Sequence, residues 1–98
     1  MTDNLRRVLE GYTGEALNGF SYLTANQEQT AFTVISVGNL PDKRIVDAGL
    51  IVRVVGERII IERDVNDKPL VDALLQAGVL RSQIVLAYAG EAVENSAA

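Results

Sequence analysis

The hydrophobic and polar positions of this chain change their period several times, and the first period is that of a helix. Apolar residues at every third or fourth position form one helix face near the amino terminus, made of Leu5, Val8, Leu9 and Tyr12. This spacing predicts an amphipathic helix over about residues 3–16, with Thr2 or Asp3 capping its start.

A second helical pattern follows later in the chain. Its predicted range is about residues 67–77, because Asp67-Lys68-Pro69 has the composition of a helix start and Gly78 that of a stop. The apolar face of this helix consists of Leu70, Val71, Leu74 and Leu75.

Runs rich in β-branched and aromatic residues predict five strands in the rest of the chain. Their ranges are about residues 20–25, 30–37, 43–55, 58–63 and 83–88. Gly56 and Glu57 separate the third run from the fourth, and a glycine in the first position of a two-residue turn accepts the positive φ of a tight hairpin. Residues 38–42 contain glycine and proline and predict a loop.

The third run is too long for one straight strand of a small domain. Fully extended, residues 43–55 would span roughly 40 Å. Ala48-Gly49 lies near the middle of the run, so we predict a bend or bulge there. If the alternation continues through the whole run, the side chains that face the helices are those of Val46, Ala48, Leu50, Val52 and Val54. The side chains on the opposite face are then those of Ile45, Asp47, Ile51, Arg53 and Val55.

The elements sum to the order α-β-β-β-β-α-β in a single domain of residues 1–98. We predict the α+β class, as a two-layer fold in which a mostly antiparallel sheet carries both helices on one face. Residues 89–98 are small and polar and predict a flexible tail.

The face of the sheet opposite the helices is too apolar to be fully solvated. An antiparallel sheet with one wet face carries mostly polar residues on that face. We therefore expect a covering polypeptide, either a second copy in a homodimer or higher oligomer or another protein. The predicted contact surface comprises Ile51, Arg53, Arg58, Ile60 and Glu62. Its charged members also fit an ordinary cross-strand ion pair of about 0.2–1 kcal/mol.

Composition excludes several classes of chemistry. The chain has no His and no Cys, which removes Ser-His-Asp and Cys-His nucleophile systems, thiolate and imidazole metal sites, and disulfides. The net charge is −4 with scattered Lys and Arg residues, which disfavours direct nucleic-acid binding. No apolar run reaches the ~20 residues of a membrane span and no signal peptide opens the chain, so we expect a cytoplasmic protein. We also expect no cofactor.

Two acidic positions support an alternative function, a carboxylate-based enzyme or a small-ligand-binding protein. Asp47 lies in the middle of a strand, where an acid is disfavoured. Asp64 lies with Asp67 on a strand-to-helix connection and fits a hard-cation site for an ion such as Mg²⁺. The same two residues also fit a helix amino terminus capped by Asn66 or Asp67, and capping explains both acids at once.

Four segments of the chain carry a resemblance to a known family. They are Val34–Gly38, Arg58–Glu62, Asp72–Val79 and Gln83–Tyr88. They are similar, in that order, to the strand end Leu-Leu-Ser-Val-Gly, the strand Lys-Ile-Trp-Ile-Gln, a helix end containing Glu-Leu-Leu and Gly-Ile, and the strand Asp-Ile-Val-Leu-Gly-Phe. These motifs are typical of the XisI-like family, the fdxN element excision controlling factors of cyanobacteria.

The resemblance implies an XisI-like α+β fold and a non-catalytic accessory role in DNA recombination. In that role the protein acts by protein–protein contact, with a nuclease-like companion called XisH, in the programmed excision of a DNA element. The chain departs from the family pattern at Asn39, where an aromatic residue is usual, at Ile60, where Trp is usual, and at Ala89-Gly90-Glu91, which replaces His-Pro-Pro. These departures bear on which companion the chain engages.

Overall fold

Strands make up more of this chain than helices do. The computed structural model describes residues 2–93, which contain two helices and six strands. The helices are α1 (Thr2–Glu10) and α2 (Leu70–Gln76). The strands are β1 (Gly14–Ala16), β2 (Gly19–Ala25), β3 (Ala31–Leu40), β4 (Lys43–Val55), β5 (Arg58–Asp64) and β6 (Ile84–Leu86). Single turns of 3₁₀ helix at Arg81–Gln83 and Ala87–Ala89 flank β6.

The strands form one sheet in chain order, from β1 at one edge to β6 at the other. Every neighbouring pair is antiparallel except β5 and β6, which are parallel because α2 forms the crossover between them. The predicted α+β class with a mostly antiparallel sheet is confirmed. The structure adds one strand, β1, which makes the order α-β-β-β-β-β-α-β.

The hydrophobic core lies between one face of the sheet and the two helices. Its buried helix residues are Leu5 and Leu9 from α1 and Leu70 and Leu74 from α2. The sheet contributes Phe32, Val34, Leu50, Val52, Ile59, Ile61 and Ile84. Burying a side chain of this kind contributes roughly 1.5–3 kcal/mol, so these residues fix both helices on the same side of the sheet.

Helix α1 is shorter than predicted, because glycine interrupts it. It ends at Glu10 and not near residue 16. The hydroxyl of Thr13 donates to the Glu10 carbonyl oxygen at 2.7 Å and closes the last turn. Gly14 then takes a φ of 139°, which a helix does not allow, and the chain enters β1.

The predicted loop over residues 38–42 is also wrong. Strand β3 continues to Leu40, which pairs with Lys43. Only Pro41 and Asp42 remain as the turn, and β3 and β4 therefore form one long hairpin.

Strand β4 contains the irregularity near its middle, and this changes which side chains share a face. Ile35 pairs with Ala48 while Val34 pairs with Leu50, so Gly49 is an extra residue on β4. An extra residue reverses the alternation beyond it. Ile45 and Asp47 consequently lie on the helix side, and Val46 and Ala48 lie on the opposite side, which is the reverse of the predicted assignment.

The segment after β6 is held by one carboxylate. Glu91 Oε1 accepts a hydrogen bond from the Leu86 amide at 2.9 Å, and Glu91 Oε2 lies 2.7 Å from Arg81 Nη2. The Leu86 amide, followed by the Arg81 guanidinium, lowers the pKa of Glu91. The predicted flexible tail is therefore wrong for residues 89–91, and its last part, residues 94–98, lies outside the described residues.

Candidate functional site

Nearly half of the sheet contributes no residue to the core shared with the helices, and we call this part the arm. The arm consists of β1, residues 19–22 of β2, residues 35–40 of β3 and residues 43–48 of β4. The strand residues of the shared core begin at Val34 and Leu50, just past the arm, and the molecule measures 49 × 27 × 23 Å. The long dimension of the molecule therefore includes a β structure that contributes no residue to the core shared with the helices.

The outer face of the arm, opposite the helices, carries two complete rows of apolar side chains. Residues that pair across antiparallel strands point to the same face of a sheet. The row nearer the hairpin turn consists of Val46, Val37 and Phe20. The next row consists of Ala48, Ile35 and Tyr22. We call these six residues the outer block. A solvated sheet face ordinarily carries polar residues at such positions.

The outer block has a raised side and a recessed side. On β2, Phe20 and Tyr22 are 40% and 44% exposed, and their rings stack with centroids 6.0 Å apart. On the adjacent strand β3, Val37 is only 5% exposed and Ile35 is half-buried. A ridge of two aromatic rings over β2 therefore runs beside a trough over β3.

Two opposite charges border the outer block. Glu15 on β1 pairs with Phe20 and so extends the first row at its β1 edge. Arg44 precedes Val46 by two residues on β4 and lies on the same face, where its Nη1 donates to Asn39 Oδ1 at 3.2 Å. Three strand spacings, about 14 Å, separate β1 from β4. Glu15 and Arg44 therefore do not pair within one chain.

The helix-facing side of the arm is a groove with a glycine floor. Gly19 pairs with Gly38, so no side chain fills this position, and the neighbouring Ser21 and Ser36 hydroxyls lie 2.8 Å apart. The groove has a volume of about 710 Å³. Its other lining side chains include Tyr12, Leu17, Leu40, Ile45 and Asp47. Leu17 is 96% exposed, so the groove presents apolar surface directly to solvent.

The predicted contact surface lies on the outer face, but beyond the arm. Arg53 Nε and Glu62 Oε2 form a 2.6 Å ion pair across β4 and β5, so these two charges neutralise each other. Ile60 is completely buried, and its predicted role as a contact residue is wrong. Arg53 and Val85 flank it on the adjacent strands, and the 3₁₀ turn after β6 packs against β5. Ile51 and Arg58 are half-buried, and their roles stay predictions.

The structure separates the two acids of the alternative site and gives each a structural partner. Asp47 lines the groove and lies 3.4 Å from Arg63 Nη2, which holds it beside the β4 bulge. Asp64 does not line the groove. Its Oδ2 accepts the Leu70 amide of α2 at 2.7 Å, and its Oδ1 accepts the Asn66 amide at 3.0 Å. Pro69 occupies the N-cap position of α2, in place of the predicted Asn66 or Asp67, and it is the Asp64 carboxylate that accepts the first helical amide.

Two further features of the described chain bear on the class of site. Within residues 2–93, no three His, Cys, Asp or Glu residues are grouped so that they could hold a metal ion. Neither helix in that range has the length and apolar character needed to cross a membrane. The arm is therefore the feature of the described chain that offers an unexplained surface.

Comparison with known proteins gives one family and a set of similar folds. A family model described as XisI protein matches residues 4–97. A crystal structure of an XisI-like protein from Anabaena variabilis ATCC 29413 has a TM-score of 0.66 at 19% identity, covering 87% of this chain and 77% of that one. The fdxN element excision controlling factor XisI from the same organism has a TM-score of 0.67 at 18% identity, covering 89% and 88%. No curated protein matches the chain.

Proposed function

Because this chain belongs to the XisI family, we propose that it is a controlling factor in the excision of a DNA element and that it acts by contact with other proteins. A protein of similar fold is named as an excision controlling factor, and we assign the same role to this chain. We place the chain in the cytoplasm, in a homo-oligomer, with an XisH-like nuclease-related protein as its companion. In this proposal the chain itself performs no catalytic step.

The single observation that carries this proposal is the arm, which exposes apolar side chains on both faces. Val46 and Leu17 are 61% and 96% exposed, on the outer face and beside the groove respectively. Each Å² of apolar surface removed from water contributes roughly 25 cal/mol, so covering the arm favours association. Large exposed apolar patches of this kind mark protein-binding surfaces.

We assign the companion to the groove. Its glycine floor allows the backbone to be approached closely, and its apolar side chains Leu17, Leu40 and Ile45 suit an inserted hydrophobic side chain of another protein. The apolar walls surround one row of polar groups, Ser21, Ser36 and Asp47, which would orient the inserted segment.

Co-expression with an XisH-like protein tests the proposal. We expect co-purification of the two proteins and its loss in Ile45→Asp, which places a charge on the groove wall. Leu80→Asp is the matched control, because Leu80 is 63% exposed and lies next to the 3₁₀ turn before β6, at the opposite edge of the sheet. Failure of the wild-type chain to co-purify contradicts the proposal, and equal loss in both variants contradicts the assignment to the groove.

A small-ligand or enzymatic role of the groove is the second candidate function. A volume of about 710 Å³ suits a small molecule. Asp47 and the paired Ser21 and Ser36 hydroxyls are its polar groups. Asp47→Asn preserves the shape of the groove and should abolish any activity found, so that unchanged activity rejects Asp47 as an acid-base group.

A further inference from the structure

We infer that the outer block is a two-fold interface between two copies of this chain, with the symmetry axis parallel to the strands and between β2 and β3. This inference rests on the proposed function, in which the chain acts through protein contact. It adds the partner, the surface and the orientation. The outer block lies on the face of the arm opposite the groove, so that self-association leaves the groove free for a companion.

The relief of the outer block selects this axis. A two-fold axis parallel to the strands places β2 of one copy over β3 of the other. The exposed rings of Phe20 and Tyr22 then lie in the trough over β3 of the second copy. They contact that copy's less exposed Val37 and Ile35 side chains. Two packed sheets interdigitate their side chains in this way at a separation of about 10 Å.

The charges at the border of the outer block select the same axis. The operation that exchanges β2 with β3 also exchanges β1 with β4. Glu15 on β1 therefore faces β4 of the second copy near Val46. Arg44 lies two residues before Val46 on the same face, toward the hairpin turn. The two-fold symmetry forms this ion pair twice, once on each side of the interface.

The other two-fold axis in the plane between the sheets gives a poorer match. An axis perpendicular to the strands places β2 over β2 and β1 over β1 of the second copy. The aromatic ridges of Phe20 and Tyr22 would then collide while the troughs over β3 faced each other and stayed empty. Glu15 would approach the Glu15 position of the second copy, and like charges in an interface oppose association.

Sedimentation equilibrium measures the dimer directly. We expect a mass of twice 10.6 kDa at micromolar concentration for the wild-type chain, and 10.6 kDa for Val46→Glu. Val46 is 61% exposed, so this substitution does not disturb the core, and circular dichroism verifies that the fold is retained. Leu80→Glu is the matched control, because Leu80 is 63% exposed outside the outer block, and it should remain a dimer. A wild-type monomer, or a Val46→Glu dimer, overturns the inference.

A charge exchange tests the orientation of the two copies. We expect Glu15→Arg to raise the dimer dissociation constant about tenfold or more, because Arg then faces Arg across the interface. Adding Arg44→Glu should restore the affinity to within about threefold of wild type, because the pair is re-formed with its charges reversed. If the double variant is as weak as Glu15→Arg, the proposed axis is wrong.

Co-purification with the XisH-like companion separates this inference from the proposed function. A monomeric Val46→Glu chain that still co-purifies with the companion supports two independent surfaces, the outer block and the groove. A wild-type dimer that fails to co-purify leaves the two-fold interface established and rejects the companion. A Val46→Glu chain that loses the companion together with the dimer overturns the assignment of the outer block to self-association alone.

Discussion

Gly19 and the carbonyl oxygen of Val37 lie so close together that no Cβ atom fits between them. A Cβ at position 19 would also lie 3.1 Å from the Gly38 Cα across the β2–β3 pairing. Because both obstacles are backbone atoms, Gly19→Ala must push the strands of the arm apart. We expect it to lower the free energy of unfolding by about 1–3 kcal/mol, measured by urea denaturation.

Gly38→Ala is the control for this prediction. No atom lies within 4 Å of a Cβ built on Gly38, so this variant should unfold within about 0.5 kcal/mol of the wild-type chain. Equal losses in the two variants would mean that restricted backbone freedom, and not the contact with Val37, is the reason for glycine at position 19.

Asp64 connects β5 to α2 through both oxygens of its carboxylate. Replacing it by alanine leaves the Leu70 and Asn66 amides without their partner, and losing such a cap costs about 0.5–2 kcal/mol. We expect Asp64→Ala to lower the midpoint of urea denaturation accordingly. Asp67→Ala should have almost no effect, because Asp67 is exposed and the Leu70 amide donates to Asp64. The opposite ranking of the two variants would restore Asp67 as the predicted capping residue.

Tyr12 gives the fold a pH dependence in the alkaline range. Its hydroxyl donates to the Lys68 carbonyl oxygen at 2.8 Å, and burial, followed by the nearby Asp64 and Asp72, raises its pKa from 10.0 to about 12. The folded chain binds this proton more tightly than the unfolded chain does. The stabilisation is therefore complete below pH 10 and is lost as the pH rises through 12.

Tyr12→Phe tests this linkage. We expect it to lower the free energy of unfolding by about 1 kcal/mol at pH 7, because a hydrogen bond is lost. It should also make the decline in stability above pH 10 shallower. Burial also raises the pKa of Tyr88, so part of the decline should remain. A variant with the same slope as the wild-type chain between pH 10 and 12 would remove Tyr12 as the cause.

The fold class could be predicted from the sequence because the local patterns of the helices and of the β4–β5 turn agree with how these elements pack. Apolar residues with helical spacing at Leu5 and Leu9 are buried, as are Leu70 and Leu74 in the second helix. Glycine at position 56 has a φ of 61°, which the tight turn between β4 and β5 requires. These signals act over a few residues each, so they can be recognised without knowledge of the distant contacts.

The candidate site was harder to predict because it depends on how the two halves of β4 are related. The sequence indicates an irregularity at Ala48-Gly49, but it does not show that one extra residue reverses the faces of the arm. That reversal brings Val46 and Ala48 to the outer face, where they complete the outer block. The predicted irregularity already implied this reversal, because one residue inserted between Val46 and Leu50 puts their side chains on opposite faces of the sheet.

The burial of Ile60 depends on contacts that are distant in the chain, which explains why its predicted role was wrong. Alternation correctly places Ile60 on the face opposite the core, next to Arg53. The parallel strand β6 then places Val85 beside Ile60, and the 3₁₀ turn that follows β6 packs against β5. Nothing in residues 58–63 themselves indicates that residues 84–89 return to this edge.

Ile60→Ala measures whether this side chain stabilises the single chain or an interface. A buried Ile truncated to Ala costs about 2–5 kcal/mol, so we expect a loss of this size in the free energy of unfolding. Because the cavity forms inside one chain, the loss should be the same when the protein concentration is changed a hundredfold, whereas an interface contact would give a concentration-dependent loss. Val46→Ala is the matched variant, since its exposed side chain should contribute less than about 0.5 kcal/mol under conditions where the chain is monomeric. A small or concentration-dependent effect of Ile60→Ala would return this residue to the contact surface.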